Sequence, residues 1–280
     1  MARQDLGGRP AIALALLLLL TAAGCSPSST SSSPPASSSA PASAMPASSL
    51  PEGSSSAPPA SSLPASAAPA ADGFAYDPPG KLQAGNAGVT DPKIYAPGIR
   101  FPIETPKAFP QSQLWADGGI MGPKNTDQCD AVNFVYPWHD DFCEPRDYST
   151  SLCPSGQGHQ GQDIRASSCQ SGIWPAVAVE SGQITQITGW KVYLYSPTSH
   201  LTYIYMHMKP TTLKVHVNQV VTRGQEMGYV SNYFPPGGTT VHLHFEILQP
   251  VSDGAHAYTN VPPYTSLIDA YQRLLSGQDH

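Results

Sequence analysis

Two histidines and a glutamate fall on one side of the run Val241-His242-Leu243-His244-Phe245-Glu246-Ile247. The alternation is strict, and a period of two in β-branched and aromatic residues predicts a half-buried strand. Val241, Leu243, Phe245 and Ile247 then enter the core, while His242, His244 and Glu246 share the other face. Residues i and i+2 of a strand lie roughly 6.5 Å apart. Two imidazoles so placed reach one site, one to bind a metal and its neighbour to handle a proton. A surface strand that merely carries two histidines would show the same pattern, so the partners elsewhere decide. The first is Gly158-His159-Gln160-Gly161-Gln162-Asp163-Ile164. A His and an Asp four apart could share a helix face, but Pro154, Gly156, Gly158 and Gly161 predict a loop leading into a strand. The second is Tyr205-Met206-His207-Met208, closing another alternating run. Alternation puts His207 on one face with Tyr203 and Tyr205.

In order and spacing these motifs resemble the LytM/lysostaphin-type zinc peptidases of the M23 family, whose pattern is HxxxD, a YxH-like segment and HxH. The run His242-Leu243-His244-Phe245-Glu246 is among the most specific parts of that signature, and the resemblance covers roughly Gly156 to Pro250. It implies one Zn²⁺ per chain, held by His159, Asp163 and His244, with a fourth position open to water. Two nitrogens and a carboxylate suit zinc as a borderline ion. It further implies that His207 and His242 are the catalytic pair, one acting as general base, the other stabilising an oxyanion or protonating the leaving amine. Glu246 is expected to support the site or to be solvated. No HExxH helix is present. Thr239 and Thr240 stand where the family often has a small residue or proline, a departure expected to alter the rim of the groove and not the metal.

The function implied is hydrolysis of the peptide cross-bridges of bacterial peptidoglycan by attack of a metal-bound water. The alternative is a non-catalytic LytM-like lipoprotein that binds and activates a cell-wall amidase. Such regulators typically lack several site residues, whereas all five are present here. The net charge of −6 argues against a nucleic-acid partner.

The elements that must position these residues come late in the chain. Residues 1–24 combine Arg3 and Arg9, a short apolar run and a small-residue exit, the pattern of an export signal. Thr21-Ala22-Ala23-Gly24-Cys25 resembles a lipobox with Cys25 as the lipidated residue. The expected location is therefore the cell envelope. The lipobox alone leaves inner and outer membrane open, and Ser26 after Cys25, in place of the Asp often linked to inner-membrane retention, points to the outer membrane facing the periplasm. Residues 25–72 are almost wholly Ser, Pro and Ala and cannot bury enough apolar surface to fold. They form a tether, with a reach of roughly 35–40 Å as a coil. Residues 73–154 read as an irregular, proline- and aromatic-rich extension packed on the catalytic part, 155–250 as the peptidase core, and 251–280 as a loop and short helix.

Four cysteines follow Cys25: Cys129, Cys143, Cys153 and Cys169. Export favours disulfides, and without a CxxC pair a thiolate zinc site is not expected. The simplest pairing joins Cys129 to Cys143 and Cys153 to Cys169. From Trp174 onward short alternating segments and turn residues predict a mainly β, antiparallel sheet or sandwich, which the resemblance makes the LytM/lysostaphin type (duplicated hybrid motif). Lys191–Tyr195 and 201–206 read as a hairpin, and 265–275 as the helix of note.

Overall fold

The computed structural model describes residues 73–83, 87–110, 127–251 and 258–279. The export signal, Cys25, the tether, His256 and His280 lie outside the described residues. All the described residues belong to one compact unit.

The described residues are mainly antiparallel β, with one α-helix among them, at the C-terminal end. Its strands are β1 (Phe109–Pro110), β2 (Gln162–Arg165), β3 (Pro175–Val177), β4 (Gly182–Thr188), β5 (Lys191–Tyr195), β6 (Thr202–Met206), β7 (Val220–Val221), β8 (Glu226–Tyr229), β9 (Leu243–Pro250) and β10 (Tyr258–Val261), followed by α1 (Tyr264–Leu275). The main sheet runs β1-β2-β9-β6-β5-β4-β7, with β10 also on β9, and β3 pairs with β8 in a small second sheet. β9 is the spine. β6 lies along one edge of it; β2 pairs with its first half and β10 with its second. The predicted hairpin forms between β5 and β6, in register from Lys191↔Met206 to Tyr195↔Thr202.

The apolar side of 241–247 enters the core as expected, with Leu243, Phe245 and Ile247 fully buried. The strand is not half-buried, however: His242, His244 and Glu246 on the other side are buried as well. The strand itself begins at Leu243, two residues later than the pattern suggests. His242 makes an isolated bridge with Ser231 instead.

The segment before residue 155 is irregular, yet its aromatics are not a coat on a finished core. Phe74, Tyr76, Phe101, Ile103 and Trp138 belong to the same buried cluster as Leu243 and Phe245. Tyr271 of α1 meets Trp138 at 4.6 Å, Phe74 at 5.0 Å and Phe101 at 5.0 Å between ring centres. The Tyr264 hydroxyl donates to the carbonyls of Asp77 and Trp138. Helix, extension and sheet therefore share one apolar interior.

Both disulfides form, with a connectivity other than the simplest. Cys129 pairs with Cys169 and Cys143 with Cys153. The turn 147–157 folds back on itself through a Ser149↔Gln157 bridge, which returns Cys153 to Cys143. Cys153 is thereby taken up by Cys143, which leaves Cys169, beyond β2, to Cys129. The loops closed span separations of 10 and 40 residues, worth about 3 and about 4 kcal/mol in chain entropy.

Candidate metal centre

Register brings the first two groups together. Asp163 on β2 lies directly opposite His244 on β9, and Met206 of β6 faces His244 from the other edge. Opposed residues on one face have Cβ atoms about 5 Å apart, so the carboxylate and the imidazole meet. His159 arrives on the loop before β2. Gly161 lets that loop lie flat on β9: a Cβ there would sit 2.4 Å from the Phe245 carbonyl oxygen and 2.9 Å from His244 Nε2.

One atom from each of His159, Asp163 and His244 converges on a single point, all three residues being buried. His159 Nε2 is 2.9 Å from His244 Nδ1, His244 Nδ1 is 2.9 Å from Asp163 Oδ1, and His159 Nε2 is 3.3 Å from Asp163 Oδ1. Ligands around a tetrahedral zinc with bonds of about 2.0–2.1 Å lie roughly 3.3 Å apart. The observed triangle is close to that size.

The atoms behind the ligands decide their protonation. His159 Nδ1 donates to the carbonyl of Asp141 at 3.0 Å, and a carbonyl can only accept. His244 Nε2 donates to Glu246 Oε1 at 3.1 Å, while Glu246 Oε2 accepts from the Asn260 amide at 2.7 Å. With those nitrogens protonated, the neutral rings turn lone pairs at His159 Nε2 and His244 Nδ1 toward the Asp163 oxygen. Two lone pairs and an anion facing one another in a buried site need a cation or extra protons. The protonation equilibria carry that strain. Burial lowers the proton affinity of His159, but Asp163 and Asp141 raise it well above the usual imidazole range. Burial likewise opposes protonation of His244, and hydrogen bonds to Asp163 and Glu246 outweigh it. Burial would raise Asp163; the imidazoles of His242 and His159 instead hold it well below the usual carboxylate range. The donor set fits a borderline divalent ion that would replace those protons.

His207 and His242 lie next to this triangle, with ring centres 4.6 Å apart. His242 Nε2 comes within 3.4 Å of Asp163 Oδ1, and its Nδ1 donates to the Thr240 carbonyl at 2.8 Å. The Thr240 hydroxyl stands 3.1 Å from the same Nδ1. Thr240 therefore orients His242, rather than only shaping a rim. His207 Nδ1 donates to the Tyr233 carbonyl at 3.2 Å. Each ring thus keeps Nε2 as a lone pair.

Alternation misplaces His207. Tyr203 and Tyr205 are fully buried on the core side, and the Tyr205 hydroxyl accepts from the Val179 amide. His207 follows the last residue of β6 with φ of 67°. That left-handed conformation, costing on the order of 1–3 kcal/mol for a non-glycine residue, swings its ring to the metal side. The Ser231 hydroxyl donates to the His207 carbonyl, and His207 N donates to the Trp190 carbonyl, so the turn is held at both ends. Burial first, then the nearby His242 and His244, keep the His207 ring well below its ordinary pKa.

A cavity of about 280 Å³ opens over the site. His159, His244 and Glu246 form its floor, His207 one side, and Trp190, Phe234 and Tyr148 apolar walls, with Arg146 and Lys191 among its lining. His207 therefore meets the groove, while His242 is buried behind it with 1% of its surface exposed.

Asp141 and Asn260, which the sequence did not single out, and Thr240, which it placed only at the rim, all contact residues of the centre. Arg165, two residues after Asp163, is buried without a hydrogen-bond partner among the described residues. Burial brings its pKa down to about 10, partly offset by Asp163.

Residues 157–257 match Peptidase family M23. No curated protein matches the chain. Among solved structures, lytM from Ruminococcus gnavus ATCC 29149 is 20% identical, over 63% of this chain and 61% of that one, with a TM-score of 0.39. This chain thus spans about three fifths of that relative's length. The catalytic domain of the antimicrobial peptidase lysostaphin from Staphylococcus simulans is 23% identical over 50% of this chain and 98% of that one, with a TM-score of 0.35.

Proposed function

Residues 157–257 of this chain form a domain of peptidase family M23, and from that premise we propose a zinc-dependent endopeptidase that hydrolyses peptide cross-bridges of bacterial peptidoglycan. One observation carries the reading. The His159, Asp163 and His244 donor atoms face one another in a buried site whose hydrogen bonds aim their lone pairs at a common point.

His159 Nε2, Asp163 Oδ1 and His244 Nδ1 would hold the ion. Zinc, when bound, supplies Lewis acidity that polarises a carbonyl and lowers the pKa of a water to about 7. The chain's own groups do the rest. His207 is neutral at neutral pH and turns its Nε2 lone pair into the groove, where it can take a proton from an attacking water. His242 Nε2, 3.4 Å from Asp163 Oδ1, sits behind it as the second proton carrier. Returning the proton to the departing amine completes peptide hydrolysis. Trp190, Phe234 and Tyr148 offer apolar faces to an extended peptide, and Arg146 and Lys191 suit its carboxylates.

The purified protein, with no amidase added, should release fragments bearing new peptide amino termini from cross-linked peptidoglycan, and a chelator should stop their appearance in mass spectra. Cleavage between the lactyl group and the first amino acid, seen only when an amidase is present, would instead make the protein an activator. The motif at Cys25 supports a lipid-anchored enzyme of the cell envelope, and Ser26 after it favours the outer membrane facing the periplasm. Cys25→Ser should move it from the membrane to the soluble fraction, and unchanged partitioning would count against the anchor.

A further inference from the structure

We propose that Asp141 is a positioning residue for the metal centre, so that the site is completed from outside the region that matches the peptidase family. The inference rests on the zinc reading above. Asp141 lies on the segment before residue 155, 16 positions ahead of the first residue matched at 157. It is wholly buried, and it touches both ligands of the 159–163 loop. Asp141 Oδ2 accepts from the backbone N–H of Asp163 at 3.0 Å. Its Oδ1 stands 3.5 Å from His159 Nδ1, the same nitrogen that donates to the Asp141 carbonyl. One residue thus fixes the backbone of the carboxylate ligand and the ring of the histidine ligand.

The surrounding backbone keeps it there. Cys143 N donates to the His159 carbonyl at 3.0 Å and His159 N donates to the Glu144 carbonyl at 2.9 Å. The close approach requires Gly158, where a Cβ would sit 2.7 Å from Cys143 Cα. The Cys143–Cys153 disulfide ties the same segment at its end.

Charge gives the reason for a carboxylate. Two neutral imidazoles and one carboxylate leave a bound dication with one net positive charge. Asp141 places a second buried carboxyl group on the far side of His159, and outer carboxylates at such a place raise the basicity of a ligating histidine. A buried carboxylate is otherwise costly, and Oδ1 of Asp141 has no hydrogen-bond partner among the described residues. Its neighbour Asp140 makes the contrast. Asp140 is equally buried, but its oxygens accept from the backbone N–H groups of Gly80 at 2.8 Å and Phe142 at 3.0 Å. Asp140 holds the fold; Asp141 holds the ligands.

The test is zinc affinity of the full chain, measured by competition with a chromophoric chelator. Wild type, Asp141→Ala, Asp141→Asn and Asp140→Asn are compared, with circular dichroism and a thermal midpoint taken on each metal-free protein. Asp141→Ala should weaken zinc binding roughly 10–100-fold, the usual range for an outer partner of a ligand. Asp141→Asn should weaken it less, by about 3–10-fold, because its amide oxygen still accepts from Asp163 N but brings no charge. Asp140→Asn should lower the thermal midpoint and leave zinc affinity unchanged. Wild-type affinity in Asp141→Ala, or equal losses in the Asp140 and Asp141 variants, would overturn the proposal. If Asp141→Ala does not fold, unchanged affinity in Asp141→Asn overturns it alone. A wild-type chain that binds no zinc would overturn the metal reading itself, and this inference with it.

Discussion

At the scale of residues, the four histidines of the site divide by what their second ring nitrogen touches. The proposed ligands His159 and His244 give that atom to Asp141 and Glu246, and the proposed catalytic pair His207 and His242 give theirs to the carbonyls of Tyr233 and Thr240. All four rings are thus held through one nitrogen, and the proposed function gives the other nitrogen of each to the metal or to a proton. His159→Ala and Asp163→Ala should abolish zinc binding while the fold survives, since each removes one of three ligands. His207→Ala and His242→Ala should retain zinc and lose roughly 10²–10⁴-fold in turnover, the usual worth of a general acid or base. Zinc content together with single-substrate kinetics separates the two classes. Loss of metal in either of the second pair would mean that ligand and catalyst have been exchanged. The position most exposed to this test is His242, which lies within 3.4 Å of a ligand oxygen and is shut off from the groove that His207 lines.

At the scale of elements, the site depends on how closely the 159–163 loop can lie on β9. Gly161→Ala places a methyl 2.4 Å from the Phe245 carbonyl oxygen, a backbone atom that cannot turn aside. The loop must lift, costing about 1–3 kcal/mol of stability, and His159 lifts with it. Urea unfolding and zinc titration should both register the change; unaltered values in both would show that the loop has room to spare. Strands were legible in the sequence wherever one face meets the core and the other does not. That condition holds for Lys191–Tyr195, whose side chains alternate in burial. Along 202–206 and 241–247 the residue types mark the core-facing side, but the other side is largely buried as well. It fails where the backbone departs from extended geometry. The left-handed turn at His207 reverses the face that a period of two assigns, and nothing in Tyr-Met-His-Met announces it. The cysteine pairing was illegible for a related reason: it depends on the return of turn 147–157, a tertiary event. Asp141 and Asn260 were hidden because they serve the site across 22 and 14 residues, to Asp163 and Glu246, with no local pattern.

At the scale of the whole molecule, the family-matched region does not enclose its own core. Phe74, Tyr76, Phe101, Ile103 and Trp138 are each no more than 3% exposed and pack with Tyr271 and the buried face of β9. Full burial of a large apolar side chain is worth about 1.5–3 kcal/mol. Five of them together are comparable to the roughly 5–15 kcal/mol by which a whole domain is stable. A chain that begins at residue 139 would strip Tyr271 of Phe74, Phe101 and Trp138, the rings against which it packs, so we expect it to lose cooperative folding. A chain that begins at residue 73 keeps every one of these contacts and should melt in a single transition at the same temperature as the longer protein. Thermal melts followed by near-ultraviolet circular dichroism distinguish the two, because the signal comes from the aromatic cluster itself. Cooperative melting of the shorter chain would show that the extension is a detachable cover, and Asp141 would then be reaching a site able to stand without the residues before it.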